Sequence, residues 1–192
     1  MKHEEISLNT KKELVESLKK AMKNKPFQKI TVSELIRDCN MNRNTFYYHF
    51  EDIYSLLKWM FEQEAIEIVK HFDFLVDYEE AIVFVMDYIE ANDYIINCAY
   101  DSIGQDELKR FFYADFLEIV VSLIEHAEKI TGKTISAGYK EFLSHFYMEA
   151  MAGMLIEWIK DRKGRERDTV IQYISSTVQE SLLGILNSNI KI

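Results

Sequence analysis

The stretch that decides the fold is residues 40–50, NMNRNTFYYHF, which crowds aromatic side chains, a histidine and an arginine into one short segment. The sequence predicts a helix of about two turns here, from the cap residue Asn42 to Phe50. On this helix Phe46 points inward as an anchor, and an arc of other side chains points outward. That outward arc consists of Arg43, Asn44, Tyr47 and Tyr48. Exposing two tyrosines and an arginine is hard to justify by solubility alone, so the arc indicates a binding surface.

Another short helix is predicted directly before this stretch. It begins at Thr31, because Thr31-Val-Ser-Glu34 has the pattern of a capping box, in which the Thr hydroxyl and the Glu carboxylate bind free backbone N–H groups. Leu35 and Ile36 give this helix a buried side, and Asn40 is a natural residue for the turn that follows. Two short helices joined by a turn form a helix-turn-helix, whose second helix enters the major groove of DNA.

The rest of the chain has helical patterns and few helix breakers, with six glycines and one proline in 192 residues. The predicted fold class is therefore all-α, with about nine helices. Outside the two short helices, the pattern predicts helices at 8–23, from Asp52 to about 71, and at 78–91, 93–101, 106–130, 137–162 and 168–188, with a solvated loop at 163–167.

Charge is distributed unevenly along the chain. Residues 1–50 contain ten Lys and Arg against six Asp and Glu, a net charge of +4, so the remaining residues carry 13 against 26, or −13. A basic first quarter followed by an acidic remainder is typical of a small phosphate-binding module on a body that does not bind nucleic acid. We therefore predict a helix-turn-helix domain at 1–52 and a separate helical domain at 53–192.

Several classes of protein are disfavoured. Cys39 and Cys98 are isolated thiols without metal-ligand spacing, which suits a reducing compartment and argues against a zinc site. No signal sequence or membrane-spanning run is visible, so we expect a cytoplasmic protein with no membrane partner. His145 and Glu149 lie four residues apart, but a surface pair or a core hydrogen bond is favoured over a metal, because further ligands are missing. Catalytic partners and phosphate-binding glycine loops are absent too, so neither an enzyme nor a cofactor is expected.

The two short helices also resemble a known family. Thr31-Val-Ser-Glu-Leu-Ile, followed by Asn42-Arg-Asn-Thr-Phe-Tyr-Tyr-His-Phe50, is similar to the DNA-binding segment of the TetR family of bacterial transcriptional regulators, over roughly residues 8–60. The resemblance implies that double-stranded DNA with a palindromic operator is the partner. The residues implied in DNA binding are Thr31, Ser33, Asn42, Arg43, Asn44, Thr45, Tyr47, Tyr48 and His49.

The resemblance also assigns roles to these residues. Arg43 and Asn44 would read base edges, while Thr45, Tyr47 and His49 would hold phosphates or thymine methyl groups. Residues Thr31 and Ser33 would bind a backbone phosphate at the start of their helix, and Tyr48 would serve either purpose.

The chain departs from the family at the entry to the fourth helix. The family usually has a basic residue there that grips a phosphate, but this chain has Phe50-Glu51-Asp52-Ile53. The loss of one phosphate contact should flatten the salt dependence of DNA binding by about one unit of charge.

The C-terminal helices carry two further predictions. An effector pocket among them would use polar and aromatic side chains, namely Tyr88, Tyr94, Asn97, Tyr100, Tyr113, His145 and Tyr147. Packing in the core with satisfied hydroxyl groups is an equally good interpretation of these residues. The helices predicted at 137–162 and 168–188 would pair with their copies as a four-helix bundle, because small residues on the first allow close approach and the last helix has a wide apolar stripe. The residues predicted at that interface are Ala150, Gly153, Ile174, Val178, Leu182 and Ile185.

The hypothesis that follows is a homodimeric repressor, released from its operator by an unknown small-molecule effector. Two alternatives remain: a regulator or coactivator whose C-terminal domain binds a protein partner, and an all-helical enzyme.

Overall fold

A computed structural model describes residues 2–71, 78–161 and 166–188, and within these ranges it contains helices and no β-strand. The all-α prediction is confirmed. The helices are α1 Lys2–Met22, α2 Val32–Asp38, α3 Arg43–His49, α4 Ile53–Phe61, α5 Tyr78–Ala91, α6 Asp93–Thr131, α7 Ala137–Lys160 and α8 Arg167–Asn187. A 3-10 turn, Phe27–Lys29, follows α1. Helix α4 continues as a π-helical turn, Glu62–Ile66, and a short α-helical turn, Glu67–Val69.

The predicted break within α6 is confirmed. The sequence predicted separate helices at 93–101 and 106–130, and between them Gly104 has the non-helical backbone angles φ 77° and ψ 166°. Only glycine adopts this conformation readily, so α6 consists of two helical segments, one on each side of Gly104. Helix α7 ends at Lys160, with Asp161 as its C-cap, two residues before the predicted end at 162. The loop was predicted at 163–167, but Arg167 already begins α8, and residues 162–165 lie outside the described residues.

The chain folds into two compact units. The N-terminal unit consists of Met1–Glu67 and Ala91–Gly104, and the C-terminal unit consists of Ile68–Glu90 and Gln105–Ile192. The predicted domain at 1–52 lies within the N-terminal unit, which also takes the rest of α4 and the first part of α6.

The core of the N-terminal unit holds α2 and α3 in place. Its fully buried members come from α1, α2, α3, α4 and the first part of α6 and include Leu14, Leu18, Leu35, Phe46, Leu56, Leu57, Met60, Ile95 and Ala99. The first part of α6 joins this unit through Cys98, whose Sγ donates to the backbone oxygen of Lys25 at 3.7 Å, and through Tyr94, whose ring lies 4.9 Å from Lys23 Nζ. Burial raises the pKa of the Cys98 thiol, and both cysteines are free.

One core cluster of the C-terminal unit is formed by α6, α7 and α8. Its buried residues are Val120, Leu123, Ile124, Ala127, Leu143, Tyr147, Met148, Leu182 and Leu186. Helix α5 also buries Ala81, Met86 and Ile89. In the described part of the chain, no helix combines the length and the apolar character needed to cross a membrane.

Candidate nucleic-acid interface

Helix α3 presents the predicted arc to solvent. Phe46 is 0% exposed, whereas Tyr47 is 47% and Tyr48 is 72% exposed. Arg43 and Asn44 are also exposed. The predicted orientation of the helix is therefore confirmed, and two tyrosines, an amide and a guanidinium share one accessible surface. Thr45 and His49 are partly buried at the edges of this arc.

The start of α3 and the turn before it are fixed by two asparagines. The side-chain Oδ1 of Asn42 accepts a hydrogen bond from the Thr45 N–H at 2.8 Å, which is the N-cap that the sequence predicted. Asn40 has a φ of 53°, in the left-handed region that asparagine tolerates better than most residues. The Met41 N–H then bonds the Ile36 carbonyl at 2.7 Å and closes the turn.

Arg43 is supported by its neighbour one turn along α3. Its guanidinium carbon lies 5.6 Å from the centroid of the Tyr47 ring, and its Nη2 donates to the Tyr47 hydroxyl at 3.4 Å. Cation–π contacts of this kind stabilise one position of a long side chain. The arginine is thereby partly ordered before any ligand arrives.

The start of α2 differs from the prediction. Thr31 occupies the N-cap position, but its side chain makes no cap hydrogen bond, so the predicted Thr half of the capping box is wrong. Glu34 bonds Lys25 Nζ at 2.5 Å, and its pKa is lowered mainly by this bond and to a smaller extent by the Thr31 N–H. The hydroxyls of Thr31 and Ser33 make no hydrogen bond within the described residues and lie on the surface.

A capping box does exist at the start of α4. The Ser55 N–H donates to Asp52 Oδ1 at 2.8 Å, and the Asp52 N–H donates to Ser55 Oγ at 3.1 Å. Asp52, one of the two acids at the position where the resemblance leads us to expect a basic residue, therefore caps α4. Lys58, further along α4, lies 3.6 Å from Glu62 and is itself paired.

The basic character of residues 1–50 does not extend to the whole N-terminal unit. Residues 51–67 contain one lysine against five acidic residues, and residues 91–104 contain two acidic residues. The net charge of the unit is therefore −2, although that of residues 1–50 is +4. Lys20 also pairs with Asp38 at 2.5 Å. The unit as a whole therefore offers no net positive charge for long-range attraction to a polyanion.

The residues predicted for the effector pocket are divided between the two units. Tyr94, Asn97 and Tyr100 belong to the N-terminal unit, and Tyr88, Tyr113, His145 and Tyr147 belong to the C-terminal unit. Most of them already have partners. The hydroxyl of Tyr147 lies 2.8 Å from Ser181 Oγ in the core, where burial raises its pKa, and Asn97 Nδ2 donates to Asp93 at 3.0 Å.

His145 and Glu149 have partners on the neighbouring helix. The Tyr113 hydroxyl lies 2.9 Å from His145 Nδ1, and Lys109 Nζ donates to the Glu149 carboxylate. The ion pair and the hydrogen bond join α6 to α7 at the surface. Among the described residues, no group of three or more His, Cys, Asp or Glu side chains is placed to hold a metal ion.

The C-terminal unit contains an apolar cavity of about 100 Å³ that the sequence did not reveal. Its wall comes from Val69 and from α5, α6, α7 and α8, and includes Met86, Phe116, Met151 and Trp158. None of the seven predicted effector residues lines it. The residues that line it are apolar and lie more than a hundred positions apart in the chain, from Val69 to Ile174, so periodicity could assign them only to the core.

The predicted dimer residues have different environments. Ala150 is exposed and Gly153 is partly exposed on α7, whereas Leu182 is 1% exposed and has no surface left to bury against a second chain. Ile174 lines the cavity, and Val178 and Ile185 pack partly against the core.

Sequence reasoning missed the largest apolar feature of α7. Phe142 is 60% and Phe146 is 56% exposed, and their rings stack at 6.2 Å. Positions 142, 146, 150 and 153 follow one face of the helix, and this spacing is the signal that would have revealed the surface.

A helix-turn-helix whose second helix exposes an arginine, an asparagine and two tyrosines, followed by a helical body, is the arrangement of a DNA-binding transcription regulator. A family model described as "Transcriptional regulator C-terminal region", TetR_C_8, matches residues 76–188. The chain therefore belongs to the TetR family of transcriptional regulators and is not an enzyme.

Two comparisons with individual proteins agree with this family. The chain is 21% identical over 153 residues to the HTH-type dhaKLM operon transcriptional activator DhaS of Lactococcus lactis subsp. lactis (strain IL1403), covering 80% of this chain and 81% of the relative. A solved structure of the dihydroxyacetone kinase operon activator DhaS has the same fold, with a TM-score of 0.65, 20% identity, and coverage of 92% of this chain and 96% of that chain.

Proposed function

We propose that the chain binds a palindromic DNA operator through the exposed arc of α3. The observation that carries this proposal is that α3 buries one side and exposes the other. Phe46 is fully buried, whereas Tyr47 and Tyr48 are 47% and 72% exposed. Arg43 and Asn44 read base edges in the major groove, where bidentate contacts of these residue types discriminate between bases. The surface hydroxyls of Thr31 and Ser33, with Thr45 and His49, hold phosphates and fix the position of α3.

Selection of duplexes from a random DNA pool tests this proposal. The expected result is a two-fold symmetric sequence whose half-site centres lie about 34–36 Å apart, or a multiple of that distance. Arg43→Ala should relax the preference at one base position in each half-site. Arg110→Ala, which removes an exposed arginine from α6 in the C-terminal unit, is the matched control and should select the same sequence. A pool that is not enriched at all would contradict the proposal.

The regulator acts as a homodimer in this proposal. Phe142 and Phe146 form an exposed aromatic surface on α7, which continues to the small residues Ala150 and Gly153. Small residues allow two helices to approach closely, and the aromatic pair supplies apolar area. Because a stable interface needs about 800 Å² from each partner, the contact must extend beyond the two rings to the rest of this face and to α8.

Light scattering of the intact chain at micromolar concentration tests the dimer. The expected mass is twice the 22.7 kDa of one chain. Phe146→Glu should shift the mass to that of a monomer, because it places a charge in the apolar contact. Ile130→Glu is the control, since Ile130 is 62% exposed on α6 and lies outside the proposed face. A wild-type mass of one chain would disprove the dimer.

An effector that binds the C-terminal unit changes the affinity for DNA in this proposal, and the protein works in the cytoplasm as a repressor released by that effector. An effector alters DNA affinity only by as much as its own affinity differs between the two conformations. Activation is the second candidate, because the relative DhaS is described as an activator. A reporter gene placed behind the selected operator separates them: deletion of the regulator raises expression under repression and lowers it under activation.

A further inference from the structure

Lys11, on α1, places its ammonium group beside the C-terminal end of α3. Its Nζ lies 5.9 Å from the centroid of the Phe50 ring and 5.3 Å from that of the Trp59 ring. Phe50 is the C-cap of α3, and its ring lies 5.9 Å from that of Trp59 and 5.9 Å from that of Phe46, the buried anchor of α3. The rings that hold Lys11 therefore belong to the same aromatic cluster that fixes the position of α3.

The positive charge of Lys11 is not neutralised by a carboxylate. Three other lysines of the N-terminal unit, Lys19, Lys20 and Lys25, each lie 2.5 Å from a carboxylate oxygen. Lys11 is partly exposed and makes no ion pair with the part of the chain that the structure describes. Aromatic faces orient a cation without neutralising it, because the attraction comes from the ring quadrupole and not from an opposite charge. Lys11 therefore presents an oriented positive charge that an anion can reach.

The chain itself adds negative charge at this end of α3. Glu51 and Asp52 directly follow Phe50. The Asp52 carboxylate is engaged as the cap of α4, where it accepts the Ser55 N–H at 2.8 Å. A cation that is to bind an anion here must therefore come from another element, and Lys11 on α1 is in that position.

We propose that Lys11 binds a phosphate of the DNA backbone at the C-terminal end of α3. In a homeodomain, which is a three-helix variant of the helix-turn-helix, the C-terminal end of the recognition helix contacts the DNA backbone. Lys11 holds that end of α3 against the duplex, while Arg43 and Asn44 at the start of α3 read bases. The contact makes up for the phosphate contact expected to be lost at the entry to α4. This assignment rests on the proposed function, since it needs α3 to lie against duplex DNA.

The salt dependence of DNA binding by the full-length chain tests the assignment. Lys11→Met removes the ammonium group and keeps an unbranched apolar side chain against the two rings. Lys12→Met is the matched control, because Lys12 is exposed and lines, with Lys20 and Asp38, a shallow depression on another side of α1. Lys11→Arg keeps both the charge and a group that stacks on aromatic rings.

Fluorescence anisotropy between about 50 and about 200 mM salt measures the Kd of each variant. Two duplexes of equal length are compared, the operator selected from the random pool and an unselected sequence. Lys11→Met should lower the slope of log Kd against log salt concentration by about 0.9 for each chain bound, hence by about 1.8 for a dimer. Extrapolated from equal affinity at 1 M salt, the loss of affinity at 200 mM is about 4-fold per chain, or about 18-fold for a dimer.

The loss in Lys11→Met should be the same for both duplexes, and the selected sequence should not change, because a phosphate carries no base identity. Lys11→Arg should keep the wild-type slope, and Lys12→Met should change it by less than half as much as Lys11→Met. Equal slopes in Lys11→Met and Lys12→Met would overturn the assignment, because they would reflect a general loss of charge. Weaker binding with an unchanged slope would overturn it as well, since a purely structural role of Lys11 has that result.

The two proposals can fail separately. If the pool yields an operator and Lys11→Met keeps the wild-type slope, the phosphate contact fails and the proposed function stands. If the pool yields no operator while the unselected duplex shows the expected difference in slope, base reading by α3 fails and the phosphate contact stands. If the chain binds no duplex at all, both fail.

Discussion

From the contact between Arg43 and Tyr47 we predict how much operator affinity is lost when either side chain is removed. An arginine that reads a base in the major groove contributes about 1–3 kcal/mol, so Arg43→Ala should weaken operator binding by roughly 5- to 150-fold. The ring of Tyr47, 5.6 Å from the guanidinium, supports that side chain by about 0.5–1 kcal/mol, the range of an exposed cation–π contact. The hydrogen bond between the two side chains adds little, because its length is 3.4 Å.

These values predict the outcome of a double-mutant cycle. Tyr47→Ala should reduce the free energy of operator binding more in the wild type than in the Arg43→Ala background, with a coupling energy of about 0.5–1 kcal/mol. The reason is that the Tyr47 ring can stabilise the guanidinium only while Arg43 is present. Tyr47→Phe keeps the ring and should retain most of this coupling. Any further loss in Tyr47→Phe that is the same in both backgrounds then measures a contact between the Tyr47 hydroxyl and DNA.

Fluorescence anisotropy with the selected operator at fixed salt concentration measures the four dissociation constants of the cycle. Arg110→Ala provides the baseline for the loss of one distant positive charge and should change the affinity less than about twofold. A coupling energy of zero would show that Tyr47 does not position Arg43. An Arg43→Ala affinity equal to that of Arg110→Ala would refute the assignment of the whole arc as a reading surface.

Three predictions concern stability and are measured by urea unfolding. Gly104→Ala should lower the free energy of unfolding by about 1–3 kcal/mol, because a φ of 77° strains any residue with a side chain even though the space around Gly104 is open. Its control is Gly138→Ala, where the space is equally open but the backbone is helical, and this change should raise the free energy of unfolding by about 0.5–1 kcal/mol. Asp52→Ala should cost about 0.5–2 kcal/mol through loss of the cap of α4. The pKa of Glu128 is raised by burial but lowered overall, to below its ordinary value of 4.5, by the bonds from Lys140 Nζ at 2.6 Å and the Ile135 N–H at 2.9 Å. Its stabilising effect is therefore complete above about pH 4.5 and is lost as the pH falls through the folded-state pKa, and Glu128→Gln should flatten this acid limb.

The sequence was a good guide wherever a local rule decided the outcome. The orientation of α3 follows from Phe46, since one buried position on a two-turn helix fixes where every other side chain points. The cap at Asn42 and the left-handed turn at Asn40 are properties of the asparagine side chain and were also predictable. The non-helical backbone at Gly104 lies in the gap between two predicted helices, so this break was predictable as well.

Predictions failed or fell short where distant residues compete for the same groups. At the start of α2 the Thr31 hydroxyl makes no cap bond, whereas Glu34 accepts from the Thr31 N–H as predicted. Glu34 also bonds Lys25 Nζ, nine residues away in an irregular segment, which no helical pattern reveals. The cavity was also unpredictable from sequence, because residues as far apart as Val69 and Ile174 form its wall and come together only when the helices pack. The Tyr147 hydroxyl is satisfied by Ser181 on another helix, so residue type alone could not show whether it lined a pocket or the core.

The π-helical turn at Glu62–Ile66 has a consequence for comparing this chain with its relatives. A π turn absorbs one more residue than an α turn over nearly the same length, so every side chain after Ile66 is rotated by about 100° from where an uninterrupted α-helix would place it. Where a relative has an unbroken helix at this position, a correct alignment must contain a one-residue gap. Without that gap, Val69 would be matched to a residue on a different face, and its place in the cavity wall would be overlooked.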